Sequence, residues 1–95
     1  MAERKFYLIV YDITNDRRRA KIAKTLEALG TRVQYSVFEI YLTEKEFDRM
    51  KHRIIKIIAE EEDSLRIYNL CEKCRQAIAV LGKGEISPAP GVVIV

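Results

Sequence analysis

The sequence predicts one α+β domain of the ferredoxin-like type, a βαββαβ sandwich with an antiparallel sheet and both helices on one face. Three observations lead to this prediction. Ninety-five residues are enough for one hydrophobic core and too few for two. Two amphipathic helical patterns alternate with runs rich in β-branched and aromatic residues. A content of 48% hydrophobic and 33% charged residues is typical of a folded globular domain.

The first half of the chain predicts a strand, a helix and a second strand. Residues 6–11 are apolar on both alternating faces, which predicts a central strand ending at Asp12. A helix is expected over residues 17–29, and Gly30 is expected to end it in the left-handed conformation. Residues 33–42 are rich in β-branched and aromatic side chains and predict one continuous strand, again without a polar face.

The second half predicts a helix followed by two strands. Thr43 and Glu46 have the spacing of a capping box, and the helix that they begin is expected to end in solvent within the acidic run 60–63. Residues 65–70 alternate and predict a third strand, while the wholly apolar residues 77–81 predict a short fourth strand.

A homodimer is expected from the bare face of this sheet and from the end of the chain. Helices on one face leave the other uncovered, yet the first two strands are apolar on both faces. We divide the single domain 1–95 into a core, 1–82, and a tail, 83–95. Because the tail ends in four β-branched residues, 92–95, it is expected to add a strand to the sheet edge of the partner.

Positive charge is concentrated in the first third of the chain. Residues 1–35 contain eight Lys and Arg against four Asp and Glu, whereas residues 36–95 contain nine against ten. A localised excess of this kind predicts a phosphate-binding surface. No apolar run approaches the ~20 residues of a membrane span, and the first residues lack a signal-peptide pattern. We therefore expect a cytoplasmic protein that does not bind membranes.

Asp12 and the basic residues after it form the candidate site. A carboxylate at a strand end often only caps a turn, and a basic helix start is often only solvated. Helical spacing nevertheless places Arg17, Lys21 and Lys24 on one exposed face, and turns Arg19 back toward Asp12. Such an acid can bind a hard cation while the basic groups bind phosphates. One Asp per chain is a poor metal site, so two would have to face each other across a twofold axis.

Cys71 and Cys74 have C-x-x-C spacing but lack the rest of a zinc or redox motif. A closed zinc site needs four ligands, and His52 is the only histidine in the chain. The predicted elements do not place the motif where a strand leads into a helix, as in thioredoxin-like proteins. We expect both cysteines to be small buried residues at a turn.

A third interpretation is an RNA-binding module similar to an RRM, with tyrosines of an open sheet stacking on bases. The third strand contains no aromatic- and glycine-rich RNP-type run, which favours core packing for most of these residues. The tyrosines concerned are Tyr7, Tyr11, Tyr35 and Tyr68.

Two segments resemble the family of small CRISPR-associated endoribonucleases: Tyr-Leu-Ile-Val-Tyr-Asp-Ile-Thr at 7–14 and Arg-Val-Gln-Tyr-Ser-Val-Phe-Glu at 32–39. The resemblance covers nearly the whole chain, including its length and the order of its elements. It implies a ferredoxin-like homodimer whose terminal strands cross to the partner, and which accompanies the CRISPR integrase in spacer acquisition. It also implies a magnesium-dependent nuclease that cleaves single-stranded RNA or double-stranded DNA.

The resemblance implies roles for individual residues. Asp12 of each subunit would hold Mg²⁺, which positions and activates water for attack on a phosphodiester. Tyr11 would assist catalysis, with Phe38 supporting the site. Lys21 stands where relatives can have an arginine, so it keeps the charge but loses bidentate phosphate binding. The expected nucleic-acid-binding residues are Arg17, Arg18, Arg19, Lys21 and Arg32.

The resemblance also implies a second role, which is a close alternative to the favoured nuclease. Members of this family can act as a non-catalytic bridge that clamps duplex DNA between integrase dimers. One acid per chain and no histidine base near it predict slow cleavage at best, and the sequence leaves both roles open.

Overall fold

A four-stranded antiparallel sheet with two helices packed on one face forms the fold. The computed structural model describes residues 3–84 and residue 86. The strands lie in the order β2-β3-β1-β4, with β1 antiparallel to both of its neighbours. This is the ferredoxin-like order, so the predicted fold class is confirmed. The elements are β1 (Lys5–Asp12), α1 (Asp16–Glu27), β2 (Thr31–Gln34), β3 (Val37–Leu42), α2 (Glu44–Ile57), β4 (Ser64–Leu70) and α3 (Glu72–Gln76).

The predicted single strand 33–42 is wrong, because this segment is a β-hairpin. β2 and β3 pair through Arg32 opposite Phe38, and the register shifts by a bulge before Gln34. Residues 35–36 form the turn. Neither of them has a positive φ, so the turn lacks the Asn-Gly chemistry by which short hairpins are usually recognised.

The predicted fourth strand, 77–81, is also wrong. The chain forms the short helix α3 after β4, and Ala77 is its C-cap. An i, i+3 ion pair between Glu72 and Arg75, with atoms 2.8 Å apart, stabilises this turn of helix. The ferredoxin-like sheet is already complete, because the hairpin supplies the strand that 77–81 was expected to add.

The acidic run after α2 is exposed at residues 60–62, as predicted, but α2 ends before it and Asp63 turns inward. α2 begins at the predicted capping box, with Thr43 and Glu46 bonded reciprocally at 2.9 and 3.2 Å. It ends at Ile57, and the following residues fold back so that the backbone N–H of Asp63 donates to the Ala59 carbonyl. The Asp63 side chain has no exposed surface.

Gly30 follows α1 for a different reason from the predicted one. Its backbone is not left-handed, because the described glycines with positive φ are Gly82 and Gly84. A Cβ on Gly30 would lie 2.4 Å from Ile40 Cγ1 and 2.5 Å from the Glu39 carbonyl oxygen. Glycine is therefore required by close packing of this loop on β3.

The core lies between the sheet and the two long helices. Side chains of the helix-facing side of β1 and β3 pack against Ile22 and Leu26 of α1 and Met50 and Ile54 of α2. The opposite face, which we call the open face, is not covered by α1 or α2. It carries Phe6, Leu8, Val10 and Asp12 of β1, with their cross-strand neighbours in β3 and β4.

The terminal strand predicted at 92–95, and with it most of the tail 83–95, lies outside the described residues. Within the described part of the chain, no helix is both long enough and apolar enough to cross a membrane.

Candidate nucleic-acid site

Asp12 is an exposed carboxylate on the open face, at the last position of β1. Its cross-strand neighbour in β4 is Ser64. Within residues 3–84, no hydrogen-bond donor or cation pairs with the Asp12 carboxylate. An exposed carboxylate without a partner is available to bind a cation or to accept a hydrogen bond.

Tyr11 lies on the other side of the sheet from Asp12, because neighbouring strand residues point to opposite faces. It is 4% exposed and stacks on Phe38, with ring centroids 6.3 Å apart. Burial raises the pKa of the Tyr11 hydroxyl, and the nearby Arg32 opposes this shift. The two residues predicted to be catalytic are therefore adjacent in sequence but separated by the sheet.

Arg32 covers the Phe38 ring on the same side as Tyr11. Its guanidinium carbon lies 5.3 Å from the ring centroid, and one of its nitrogens pairs with Glu27 at 2.7 Å. Arg32 keeps 42% of its side chain exposed, so one face of the guanidinium is supported by the ring while the rest is open to solvent.

Arg19 reaches back to the turn that follows Asp12. Its guanidinium donates to the carbonyl oxygens of Ile13 at 3.1 Å and Thr14 at 3.3 Å, and it pairs with Asp16. This arginine therefore fixes the connection between β1 and α1. A cavity of about 290 Å³ opens beside it and is lined by Tyr11, Asp16, Arg19, Ala20, Ala23, Arg32, Tyr35 and Ser36.

Arg18 differs from its basic neighbours because it is already paired within the chain. It donates to Asp63 and to Glu62, each at 2.8 Å, and 23% of its side chain is exposed. By contrast, Arg17 and Lys21 are exposed and form no ion pair with a described residue. The residues predicted to bind nucleic acid therefore include unpaired cations, Arg17 and Lys21, and a cation that is already paired within the chain, Arg18.

Arg66 is a cation of the open face that the sequence prediction did not include. It lies opposite Val10, two residues along β4 from the Ser64 that faces Asp12. A hydrogen bond to Tyr68 raises the pKa of Arg66. The signal is present in the sequence, since the alternation over residues 65–70 places Arg66 and Tyr68 on one face and Leu65 on the other.

The structure removes two tyrosines from the RRM-like interpretation. Tyr7 and Tyr11 are 5% and 4% exposed, and both belong to the core beneath the helices. Of the four tyrosines considered, Tyr68 alone lies on the open face, because it is the cross-strand neighbour of Leu8.

The cysteine prediction is wrong as well. Cys71 and Cys74 are exposed free thiols, and Cys71 is the N-cap of α3. The C-x-x-C motif therefore does stand where a strand, β4, leads into a helix.

The described residues of one chain contain no group of three or more His, Cys, Asp or Glu side chains placed to hold a metal ion. Asp12 alone supplies a free carboxylate at the end of β1. Since Mg²⁺ is often bound by one or two carboxylates together with water and phosphate oxygens, Asp12 fits one position of such a site. The remaining protein ligands would have to come from outside a single chain.

Comparison with known proteins places the chain among CRISPR-associated proteins. The family model described as CRISPR associated protein Cas2 matches residues 5–78. A Synechocystis protein named CRISPR-associated endoribonuclease Cas2 3 is 46% identical over 89 residues, which cover 94% of this chain and 97% of that protein.

Two solved structures share the fold and about a third of the aligned residues. Streptococcus pyogenes Cas2 is 36% identical with a TM-score of 0.72, and the match covers 81% of this chain and 99% of that one. A chain of a partial Cas6-RT-Cas1–Cas2 complex is 32% identical with a TM-score of 0.77, covering 96% of this chain and 99% of that one.

Proposed function

This chain belongs to the Cas2 family of CRISPR-associated proteins, and we propose that it is a CRISPR endonuclease that acts in spacer acquisition. The proposal rests above all on Asp12, a free and exposed carboxylate at the end of a central strand. The relative from Synechocystis is named an endoribonuclease, which supports cleavage of phosphodiester bonds.

We propose that Mg²⁺ binds at Asp12. When bound there, the ion would supply a Lewis acid that polarises the phosphodiester and activates water. Asp12 contributes one carboxylate to the site, and Arg66 adds a positive charge on the same face of the sheet. The exposed cations of α1, Arg17 and Lys21, bind phosphates further along the nucleic acid.

A homodimer completes the site in this proposal. The open face carries Phe6, Leu8 and Val10, which α1 and α2 do not cover. Phe6 is already buried within one chain, but packing the open faces of two copies against each other would remove the half-buried Leu8 and Val10 from water. It would also bring the two Asp12 carboxylates to one twofold axis. The partner that we propose for the dimer is the CRISPR integrase, because a chain similar to this one occurs in a Cas1–Cas2 complex.

The test is cleavage of labelled single-stranded RNA and duplex DNA by wild type and by Asp12→Asn, with magnesium or with EDTA. The control variant is Asp48→Asn, which removes an exposed carboxylate on α2. We expect metal-dependent cleavage by wild type and Asp48→Asn, and its loss in Asp12→Asn. Equal cleavage by all three proteins, or cleavage in EDTA, would exclude Asp12 as the metal ligand.

The second candidate function is a non-catalytic bridge that holds duplex DNA beside the integrase. Two observations favour it. The end of β1 supplies one free carboxylate, and the exposed cations of α1, Arg17 and Lys21, need no metal to bind phosphate. If wild type binds duplex DNA and the integrase in EDTA but cleaves neither substrate in magnesium, the bridging role replaces the nuclease.

A further inference from the structure

Cys71 and Cys74 form an exposed pair of thiols where the chain leaves the sheet. Their Sγ atoms are 3.0 Å apart, and both residues are exposed. The chain passes from the edge strand β4 directly into Cys71, whose sulfur accepts a hydrogen bond from the backbone N–H of Cys74 at 3.4 Å. The first turn of α3 thus holds the two sulfurs together at the surface.

The distance between the sulfurs is suited to a disulfide. A disulfide bond is about 2.05 Å long, so the two atoms must approach by about 1 Å. Metal binding is a poorer explanation, since the described residues bring no further Cys, His, Asp or Glu into a metal-binding group with this pair. The sole histidine, His52, lies on α2, where its Nδ1 atom is 2.8 Å from the carbonyl oxygen of Asp48.

The two thiols are not equivalent. Hydrogen bonds from the Cys74 thiol and backbone lower the pKa of Cys71, whereas the neighbouring Cys71 sulfur raises the pKa of Cys74. The thiolate is the attacking species in thiol–disulfide exchange. The backbone N–H of Cys74 also donates to Cys71 Sγ, which stabilises a thiolate at Cys71, so the geometry favours Cys71 as the attacking sulfur and Cys74 as the resolving sulfur.

A cavity beside Cys71 gives a small reactant room to approach. It has a volume of about 240 Å³ and is lined in part by Arg4, Lys5 and Phe6 from the start of β1. The lining carries both signs of charge. Arg4 and Lys5 can pair with the carboxylates of a small acidic disulfide such as oxidised glutathione, whereas Glu3 is acidic and Glu72 is already paired with Arg75.

We propose that Cys71 and Cys74 are a redox-active dithiol that a disulfide of the glutathione class converts to an intramolecular disulfide. The Cys71 thiolate attacks one sulfur of oxidised glutathione, which forms a mixed disulfide and releases one glutathione thiolate. The deprotonated Cys74 sulfur then attacks Cys71 Sγ, breaks the mixed disulfide and releases the second glutathione. Two electrons pass from the cysteines to glutathione, and the two protons of the cysteine thiols end on the two released glutathione thiols.

Closure of this bond would fix the first turn of α3. Because α3 follows β4, the disulfide would also fix the direction in which the chain leaves the sheet. This site is separate from Asp12, which lies at the end of β1 remote from Phe6, where the thiol cavity opens.

The test is a redox titration of the full-length protein. The protein is equilibrated in buffers of graded ratios of reduced to oxidised glutathione and precipitated with acid to stop exchange. It is then redissolved in mildly alkaline denaturant that contains iodoacetamide, and weighed intact. Because the chain contains two cysteines, every alkyl group reports on this pair. The matched variants are Cys71→Ser and Cys74→Ser, with circular dichroism to verify that each is folded.

We expect two alkyl groups under reducing conditions and none under oxidising conditions. The oxidised monomer should weigh two hydrogens less than the reduced protein before alkylation. Cys74→Ser should stop at the glutathione adduct of Cys71 and accumulate several-fold more adduct than Cys71→Ser. Two alkyl groups at every ratio would overturn the proposal. Disulfide-linked dimers in place of the internal bond, or zinc that co-purifies and blocks alkylation until EDTA is added, would overturn it as well.

Discussion

The Nε atom of Arg18 donates a 2.8 Å hydrogen bond to Oδ2 of Asp63, a side chain with no exposed surface. The same carboxylate oxygen accepts the backbone N–H of Ala59 at 2.8 Å. These contacts tie the beginning of α1 to the turn before β4. Since the next residue, Ser64, lies directly opposite Asp12 in the sheet, Arg18 holds the framework of the candidate site.

Replacement of Arg18 should therefore weaken the fold itself. Arg18→Ala leaves the buried Asp63 carboxylate without its charged partner, and we expect a loss of about 1–3 kcal/mol in the free energy of unfolding. The neighbouring Arg17→Ala is the control and should change it by about 0.5 kcal/mol or less. Urea denaturation measures both. Equal stability of the two variants would show that the Arg18–Asp63 pair contributes nothing.

The same pair predicts sensitivity to acid. The hydrogen bonds from Arg18 and Ala59 lower the pKa of Asp63 below its ordinary value of 3.8. A carboxylate with a depressed pKa in the folded state stabilises the fold above its unfolded pKa, and this stabilisation is lost as the pH falls through the folded value. We expect the stability difference between wild type and Asp63→Asn to shrink as the pH drops below about 4. A difference that stays constant between pH 7 and strong acid would contradict this assignment.

The unpaired cations of α1 should contribute more to nucleic-acid binding than exposed cations elsewhere on the chain. Arg17→Ala combined with Lys21→Ala removes two unpaired positive charges, so the affinity for duplex DNA should fall. The slope of log affinity against log salt concentration should also become shallower, by the amount expected for the loss of about two phosphate contacts. The control, Lys51→Ala with Lys56→Ala, removes the same charge from exposed positions on α2. Fluorescence anisotropy across a salt series measures both. Equal losses in the two double variants would mean that net charge, rather than the α1 surface, determines binding.

The sequence predicted the fold class because the hydrophobic patterns of β1, α1, α2 and β4 are long and regular. The two wrong secondary-structure predictions concern short segments, where only a few residues carry the pattern. The turn at 35–36 has no glycine and no positive φ, so nothing in the residues separates β2 from β3. The run 77–81 is apolar enough for a strand, but the sheet order is complete without it.

The candidate site was predicted in part. The position of Asp12 at the end of a central strand is confirmed, as it follows from the apolar run before it. Arg18 could not be recognised as a structural residue, because its partners Glu62 and Asp63 are 44 and 45 residues away along the chain. Strand alternation places Tyr11 and Asp12 on opposite faces, but because both faces of β1 are apolar the sequence could not show which of the two faces the helices.

Close packing at Gly30 gives a last prediction that does not depend on function. In Gly30→Ala the new methyl group would meet the Glu39 carbonyl at 2.5 Å, and a backbone atom of a paired strand cannot move away without disturbing β3. We expect a loss of about 1–3 kcal/mol in the free energy of unfolding. Gly82→Ala is the control: its φ of 87° makes alanine strained, but no atom lies within 4 Å of the added group. If thermal denaturation shows Gly30→Ala to be as stable as wild type, the contact between this loop and β3 is looser than the structure shows.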